Sequence, residues 1–325
     1  MRRARIVSTG MYVPEKVLTN FDLEKMVDTS DEWIRTRTGI VERHIAAEDE
    51  TSADLAEKAA RMALERAGIS AEDIDLIIVA TITPDYYFPA TACLLQARIG
   101  ARNAGCFDLE AACSGFIYSL SMGASYIMAG WADRVLVVAA DVLSKMTDWE
   151  DRNICVLLAD GAGAAVLEAT EEDRGVLSSY LGGWGGQPEL LYVPAGGFKN
   201  PPYRVKNQKD FLMKMNGREI YKWAVTKMEE SARKALERAG LSVEDVSLVI
   251  PHQANIRIIR TVAERLGVPW EKVFVNIDKY GNTSGATIPI ALHEAVVQGR
   301  IKENDIVVFT ALGGGLTWGA AVVRF

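Results

Sequence analysis

Residues 61–78 read RMALERAGISAEDIDLII and residues 233–250 read RKALERAGLSVEDVSLVI, twelve identities in eighteen positions at a constant offset of 172. A likeness of that length within one chain is an internal duplication. Each copy predicts a helix ending at Gly68 or Gly240, a turn, and a strand whose aliphatic run is too continuous to have a solvent-facing side. The likeness fades outward but persists. FDLEAACSG at 107–115 corresponds to NIDKYGNTS at 276–284, each leading into an apolar helix that stops at Gly130 or Gly299. After these, VLVVAAD at 135–141 answers IVVFTAL at 306–312. The expectation is an α/β protein of two βαβ-rich halves, 1–170 and 171–325, related by a pseudo-twofold axis.

Phe107–Gly130, FDLEAACSGFIYSLSMGASYIMAG, carries the first chemical candidate. Its helix is apolar on nearly every face, with Gly123, Ala124 and Ser125 where close packing needs small side chains, so it is expected inside the protein. Cys113 stands at the turn that opens this helix. Free backbone N–H groups and the helix dipole there would favour a thiolate. Cys93, Cys106 and Cys155 read instead as small buried hydrophobes. Aligning the halves puts Cys113 and Asn282 in equivalent turns, with His252 just past the second-copy strand, opposite Ala80. Ligands of open α/β sheets bind at such strand ends. Nearer the N-terminus, ARIVSTGMYVP predicts a strand, Thr19-Asn20-Phe21-Asp22 a capped helix start, and residues 29–39 a polar run.

Composition bounds the alternatives. With 325 residues, 49% hydrophobic and 8% aromatic, the chain falls in the soluble globular class. MRRARIVSTGMYVPE has no apolar signal core, and no stretch approaches the roughly 18 apolar residues of a membrane span, so a cytoplasmic protein is expected. Four cysteines without a C-x-x-C pair argue against a disulfide framework and a zinc site, and no metal is expected. A net charge of −7 disfavours nucleic acid. Only Phe198–Arg218 runs the other way, with six basic residues against Asp210, and reads as a solvated loop or a patch for an anionic partner.

One Cys, one His and one Asn admit two chemistries. A papain-like hydrolase would use His252 as base and Asn282 to orient it, though the sequence signature around the Cys is absent. Acyl transfer with carbon–carbon bond formation would use His252 and Asn282 as donors to a thioester oxygen. The Gly313-Gly314-Gly315 turn is either a tight strand connection or a bare backbone N–H able to approach an oxyanion. No Gly-Lys-Ser/Thr follows it, so it is not a phosphate loop. His44, among charged residues in a loop, and His293, facing outward beside Glu294, are read as uninvolved, and Glu110 as structural.

Ala112-Cys113-Ser114-Gly115-Phe116, Pro251-His252-Gln253-Ala254-Asn255, Tyr280-Gly281-Asn282-Thr283-Ser284 and Gly313-Gly314-Gly315-Leu316-Thr317-Trp318-Gly319 resemble, in order, the motifs of β-ketoacyl-acyl-carrier-protein synthase III. The resemblance runs from Thr29-Ser30-Asp31-Glu32-Trp33 to the last strand. It implies a thiolase-like αβαβα layered fold, a homodimer and a ping-pong condensation initiating fatty acid synthesis. Cys113 would take an acyl group from acyl-CoA, with the N–H groups of Cys113 and Gly315 as oxyanion hole. Malonyl-carrier protein would then lose carbon dioxide, and His252 and Asn282 would hold the enolate. CoA enters as substrate, and no cofactor is implied.

The resemblance also implies that Trp33 and Arg152 sandwich the CoA adenine, with Arg37 near its phosphates and Gly217 and Asn255 along the pantetheine tunnel. Arg218 departs from the small polar residue expected there. Lys222 and Arg257 would dock the acidic carrier protein, although Glu264-Arg265 stands where the family often has a further Lys. Phe88 would close the primer pocket of the neighbouring subunit. No Cys follows Cys155, so the base of a thiolase is missing, and Asn282 stands where elongating synthases have a second His. The primer, acetyl or branched, stays open. A carrier-independent ketide synthase on the same fold remains the rival within the class.

Overall fold

The structure, a computed structural model, describes residues 2–325. Its nine principal strands are β1 (Arg3–Tyr12), β2 (Leu76–Ala80), β3 (Gly105–Leu109), β4 (Arg134–Val142), β5 (Asp160–Thr170), β6 (Gly175–Gly183), β7 (Leu248–Pro251), β8 (Ile306–Gly313) and β9 (Thr317–Arg324). The principal helices are α1 (Asp31–Thr38), α2 (Ser52–Ala67), α3 (Thr91–Ile99), α4 (Gly115–Met128), α5 (Gly217–Ala239), α6 (Ile256–Leu266) and α7 (Thr287–Val297). A short helix, Asn20–Leu23, is capped by Thr19 and Asp22 reciprocally, and Ser30 caps α1.

Beside two small two-stranded sheets, two main sheets form, in the orders β1-β5-β4-β2-β3 and β7-β8-β9-β6. In each, the duplicated strand pairs in parallel with the next long strand: Leu76 lies beside Val135 and Leu248 beside Val307. The outer pairings, β4–β5–β1 and β8–β9–β6, are antiparallel, so both sheets are mixed. α2 and α5 end in the same way, at Gly68 and Gly240 with φ of +65° and +69°.

The paired strands keep the offset of 172, which aligns 135–141 with 307–313, one residue beyond the sequence match. Ala112 and Ser284, both at positive φ (45° and 55°), open equivalent turns at the same offset. The turns are therefore equivalent as expected, but Cys113 is matched by Gly285 rather than Asn282. The slip has a local cause. Where the first half has β3, the second has only a single bridge, Val249 to Val273, followed by a short helix, Ile277–Tyr280.

α2 and α3 cover one sheet with Leu55, Ala59 and Leu95, and α5 and α6 cover the other with Met228, Ala232 and Ile259. α4 and α7 lie between the sheets, where Phe116, Leu120, Ile288 and Leu292 meet Val137 and Phe309. These are the five layers α, β, α, β, α. Burying each such aliphatic side chain contributes about 1.5–3 kcal/mol. Gly123 sits where a Cβ would come within 3.0–3.2 Å of Leu167, Val135 and Val137. Ser125 does not pack inside: with Met122 and Met128 it forms an exposed stripe at i, i+3, i+6.

Candidate active site

Cys113 occupies a 3₁₀ turn, Ala112–Ser114, directly before α4. The end of β8 presses on this turn. A Cβ at Gly313 would lie 2.5 Å from the Cys113 nitrogen and 3.1 Å from that of Ser114, a contact only a bare backbone makes. Hydroxyls bind the two segments together. The Ser114 Oγ donates to the Ala111 carbonyl at 2.7 Å, and the Thr317 Oγ1 lies 2.8 Å from both the Ser114 Oγ and the Ala111 carbonyl. Among the described residues, no hydrogen bond to another group of the chain occupies the N–H of Cys113 or of Gly315. The Cys113 N–H meets only its own sulfur, so donors on two adjoining segments are left that could meet a developing oxyanion.

The helix N-terminus does not make Cys113 a thiolate. Burial pushes the Cys113 thiol up to about 12, and the buried Asp141 carboxyl adds to the rise. Desolvation of the charged form outweighs the help from the Ser284 hydroxyl and the local N–H. Cys113 rests as a protonated thiol.

His252 follows β7, and its backbone N–H donates to the Thr310 carbonyl at 2.8 Å. The ring is 2% exposed, and burial lowers its pKa to about 3. It is a neutral imidazole at any ordinary pH. Its Nδ1 lies 2.7 Å from the Thr287 Oγ1.

Asn282 is fixed differently. Its Oδ1 accepts from the Ser284 N–H at 2.9 Å, while its own N–H and carbonyl bond the Leu157 carbonyl and the Ala159 N–H. With the oxygen engaged, the NH₂ remains as a donor. A Cys-His-Asn hydrolase would need the Asn oxygen on the His ring and a His able to accept a proton. Here the oxygen is on a backbone amide and the ring is on a threonine, so the three residues do not form that relay.

All three line one cavity of about 1020 Å³. Thr38, Leu157, Met215 and Ile258 form part of its wall, and Trp33, Arg37, Arg218, Lys222 and Arg257 also line it. Among the described residues, Arg37, Arg218 and Arg257 have no carboxylate within ion-pair distance, whereas Lys222 pairs with Glu219. Arg37 and Arg152 each lie over the Trp33 ring, at 4.9 and 5.3 Å. No group of three or more His, Cys, Asp or Glu residues suited to a metal exists among the described residues.

Two family models match the chain: 3-oxoacyl-[acyl-carrier-protein (ACP)] synthase III over residues 107–185, and the C-terminal model of the same family over 236–325. A β-ketoacyl-[acyl-carrier-protein] synthase III of Roseiflexus castenholzii is 54% identical over 324 residues, covering 99% of this chain and 98% of the relative. The chain belongs to the 3-oxoacyl-[acyl-carrier-protein] synthase III family. The crystal structure of the enzyme from Aquifex aeolicus superposes with a TM-score of 0.93 at 52% identity, covering 99% and 100% of the two chains. That from Thermus thermophilus superposes with the same score at 49% identity, covering 99% of each. The protein is thus a condensing acyltransferase of fatty acid biosynthesis with the thiolase-like layered fold.

Seen as a 3-oxoacyl synthase III, the chain brings Cys113, His252, Asn282, Trp33, Arg37, Gly217, Lys222, Asn255 and Arg257 to one cavity. Asn255 also caps α6, its Oδ1 accepting from the Arg257 N–H. Arg152 does not line the cavity but lies over the Trp33 ring. Phe88 stands 86% exposed, outside this cavity, near the exposed Tyr86 and Tyr87.

Two histidines lie elsewhere than expected. His44 is on the short strand Glu42–Ile45, its ring bonded to the Pro14 carbonyl. His293 is buried, its Nδ1 3.1 Å from the Thr9 hydroxyl, because α7 lies between two sheets and has almost no outward face. Neither lines the cavity. Glu110 accepts from the Ala112 N–H, a structural use. Cys155 is buried, but Cys93 and Cys106 are only half-buried, with their sulfurs 3.3 Å apart.

Sequence reasoning passed over Thr287, Ser284 and Asp141. Asp141 had a signal, being the one acid inside the apolar run of β4; its Oδ1 accepts from Thr81, Ile82 and Thr83. Thr287 had none, lying 35 residues from the histidine it touches.

Proposed function

We propose that Cys113 attacks an acyl-CoA primer and carries the acyl group, and that His252 and Asn282 then bind the thioester oxygen of malonyl-acyl-carrier protein. The observation that carries this reading is the pair of neutral donors lining the same cavity as the thiol. Asn282 has its oxygen occupied, and burial, by lowering the His252 pKa to about 3, makes the ring a poor base, so both suit, as N–H donors, an oxygen on which negative charge develops. Loss of carbon dioxide generates the enolate, and its carbon attacks the acyl-Cys to give 3-oxoacyl-carrier protein. The N–H groups of Cys113 and Gly315 serve the tetrahedral intermediates of both acyl transfers.

Arg37 and Arg218, without a carboxylate in ion-pair distance among the described residues, suit the phosphates of CoA, and Trp33 with Arg152 suits its adenine. Gly217 and Asn255 border the pantetheine arm. Lys222 and Arg257, exposed at the rim, suit an acidic carrier protein. The reading needs no cofactor, and we assign the reaction to the cytoplasm. It includes a homodimer of chains built from the halves 1–170 and 171–325. β3 pairs only with β2 and leaves its other edge open, and the exposed Met122–Met128 stripe and Phe88 offer apolar surface for a second copy.

Mass spectrometry of the protein mixed with acyl-CoA alone tests the route. An adduct on Cys113 that persists until malonyl-carrier protein is added supports it, whereas rapid release of free acid, or condensation with malonyl-CoA alone, refutes it. Asn282→Ala is expected to load acyl groups normally and to lose malonyl decarboxylation by on the order of 100-fold or more.

A further inference from the structure

We propose that Thr287 is a positioning residue that fixes the tautomer of His252, placing the ring proton on Nε2. The inference rests on the enolate-holding role given to His252 above. A neutral imidazole carries one ring proton, and the other nitrogen must accept. The contact between His252 Nδ1 and Thr287 Oγ1, 2.7 Å, allows two arrangements. Either Nδ1–H donates to the hydroxyl or the hydroxyl donates to Nδ1.

The two differ in what they leave unsatisfied. Thr287 is 3% exposed, and among the described residues its hydroxyl has no other hydrogen-bond partner. The Thr283 carbonyl, one turn back, already accepts from the Ala286 N–H. If Nδ1 donated, the hydroxyl proton would be buried with no acceptor. If the hydroxyl donates, only oxygen lone pairs go unused, the cheaper omission in a buried site.

The second arrangement therefore prevails, and Nε2, the nitrogen left for the cavity that His252 lines, carries the hydrogen. Burial keeps the ring neutral, so the donor is an imidazole N–H rather than an imidazolium. Thr287 stands at the first position of α7, directly after the turn that follows Asn282. One short segment thus orients both donors: Ser284 through the Asn282 oxygen, Thr287 through the His252 nitrogen.

Thr287→Val keeps the branched shape and removes the hydroxyl, and Thr287→Ser keeps the hydroxyl. The valine variant is expected to load acyl groups on Cys113 at the wild-type rate and to lose condensation by on the order of 10–100-fold in kcat, as for other partners that set a histidine's tautomer. The serine variant should keep most of the activity. Nitrogen-15 NMR of the imidazole, assigned with His252→Ala, should show a protonated Nε2 and an unprotonated Nδ1 in the wild type, and a mixture in Thr287→Val. A protonated Nδ1 in the wild type overturns the inference, as does full condensation by Thr287→Val or equal impairment in Thr287→Ser. If His252→Ala itself leaves decarboxylation intact, the role given to His252 fails; if that variant is inactive while Thr287→Val is not, only the inference about Thr287 fails.

Discussion

Cys113 carries two opposed demands in the proposed route: burial keeps its sulfur protonated, and acyl transfer would need it to attack. With the thiol pushed up to about 12, the thiolate fraction at neutral pH is far below that of a free cysteine. Because the protonated form is the favoured one in the fold, reactivity has to climb as pH rises. Alkylation of Cys113 by iodoacetamide, followed by peptide mass spectrometry, should quicken about tenfold per pH unit from 7 to 10 with no plateau. A plateau near 8 would show a thiol activated at rest. Cys113, His252 and Asn282 could be picked out as candidates in the sequence because each lies in a distinctive motif, Cys113 and His252 after strands and Asn282 after a short helix. Their protonation states could not be read there, since desolvation depends on what the other half of the chain packs around them. Thr287 illustrates the same limit: a threonine at the start of an apolar helix has many uses, and only the fold brings it against a ring 35 residues away.

At the scale of elements, the loop after β8 and the turn before α4 meet so closely that one methyl group would part them. Gly313→Ala is expected to destabilise the protein by about 1–3 kcal/mol through overpacking. Acyl loading should fall at least about tenfold, because the Cys113 N–H is the atom displaced. Thermal melting and adduct mass spectrometry read the two effects separately, and an alanine variant that loads normally would show that the contact does not set the oxyanion site. The duplication, with its helix ends at Gly68 and Gly240, could be read at this scale from identity alone. The antiparallel outer strands could not, because an aliphatic run has no direction. Nor could the loss of a fifth strand in the second sheet, where Ile277–Tyr280 coils into a helix and shifts the apparent match by three residues.

Across the whole molecule, the open edge of β3 and the methionines of α4 leave an apolar margin on the first half. Light scattering coupled to gel filtration should give a mass of two chains, and Met122→Glu with Met128→Glu should shift it toward one. A wild-type protein that runs as a single chain at micromolar concentration would remove the second copy from the account.

The rim of the cavity has a different consequence. The chain as a whole carries −7, yet Arg37, Arg218 and Arg257 line one cavity with no carboxylate within ion-pair distance of them among the described residues, and Asp151 is the one acid in that lining. An anionic visitor is turned away over most of the surface and drawn in at a single port, so direction of approach is selected before any contact forms. Added salt erases that compass first: capture slows while the chemistry inside the port, shielded from the solvent ions, proceeds at its own pace.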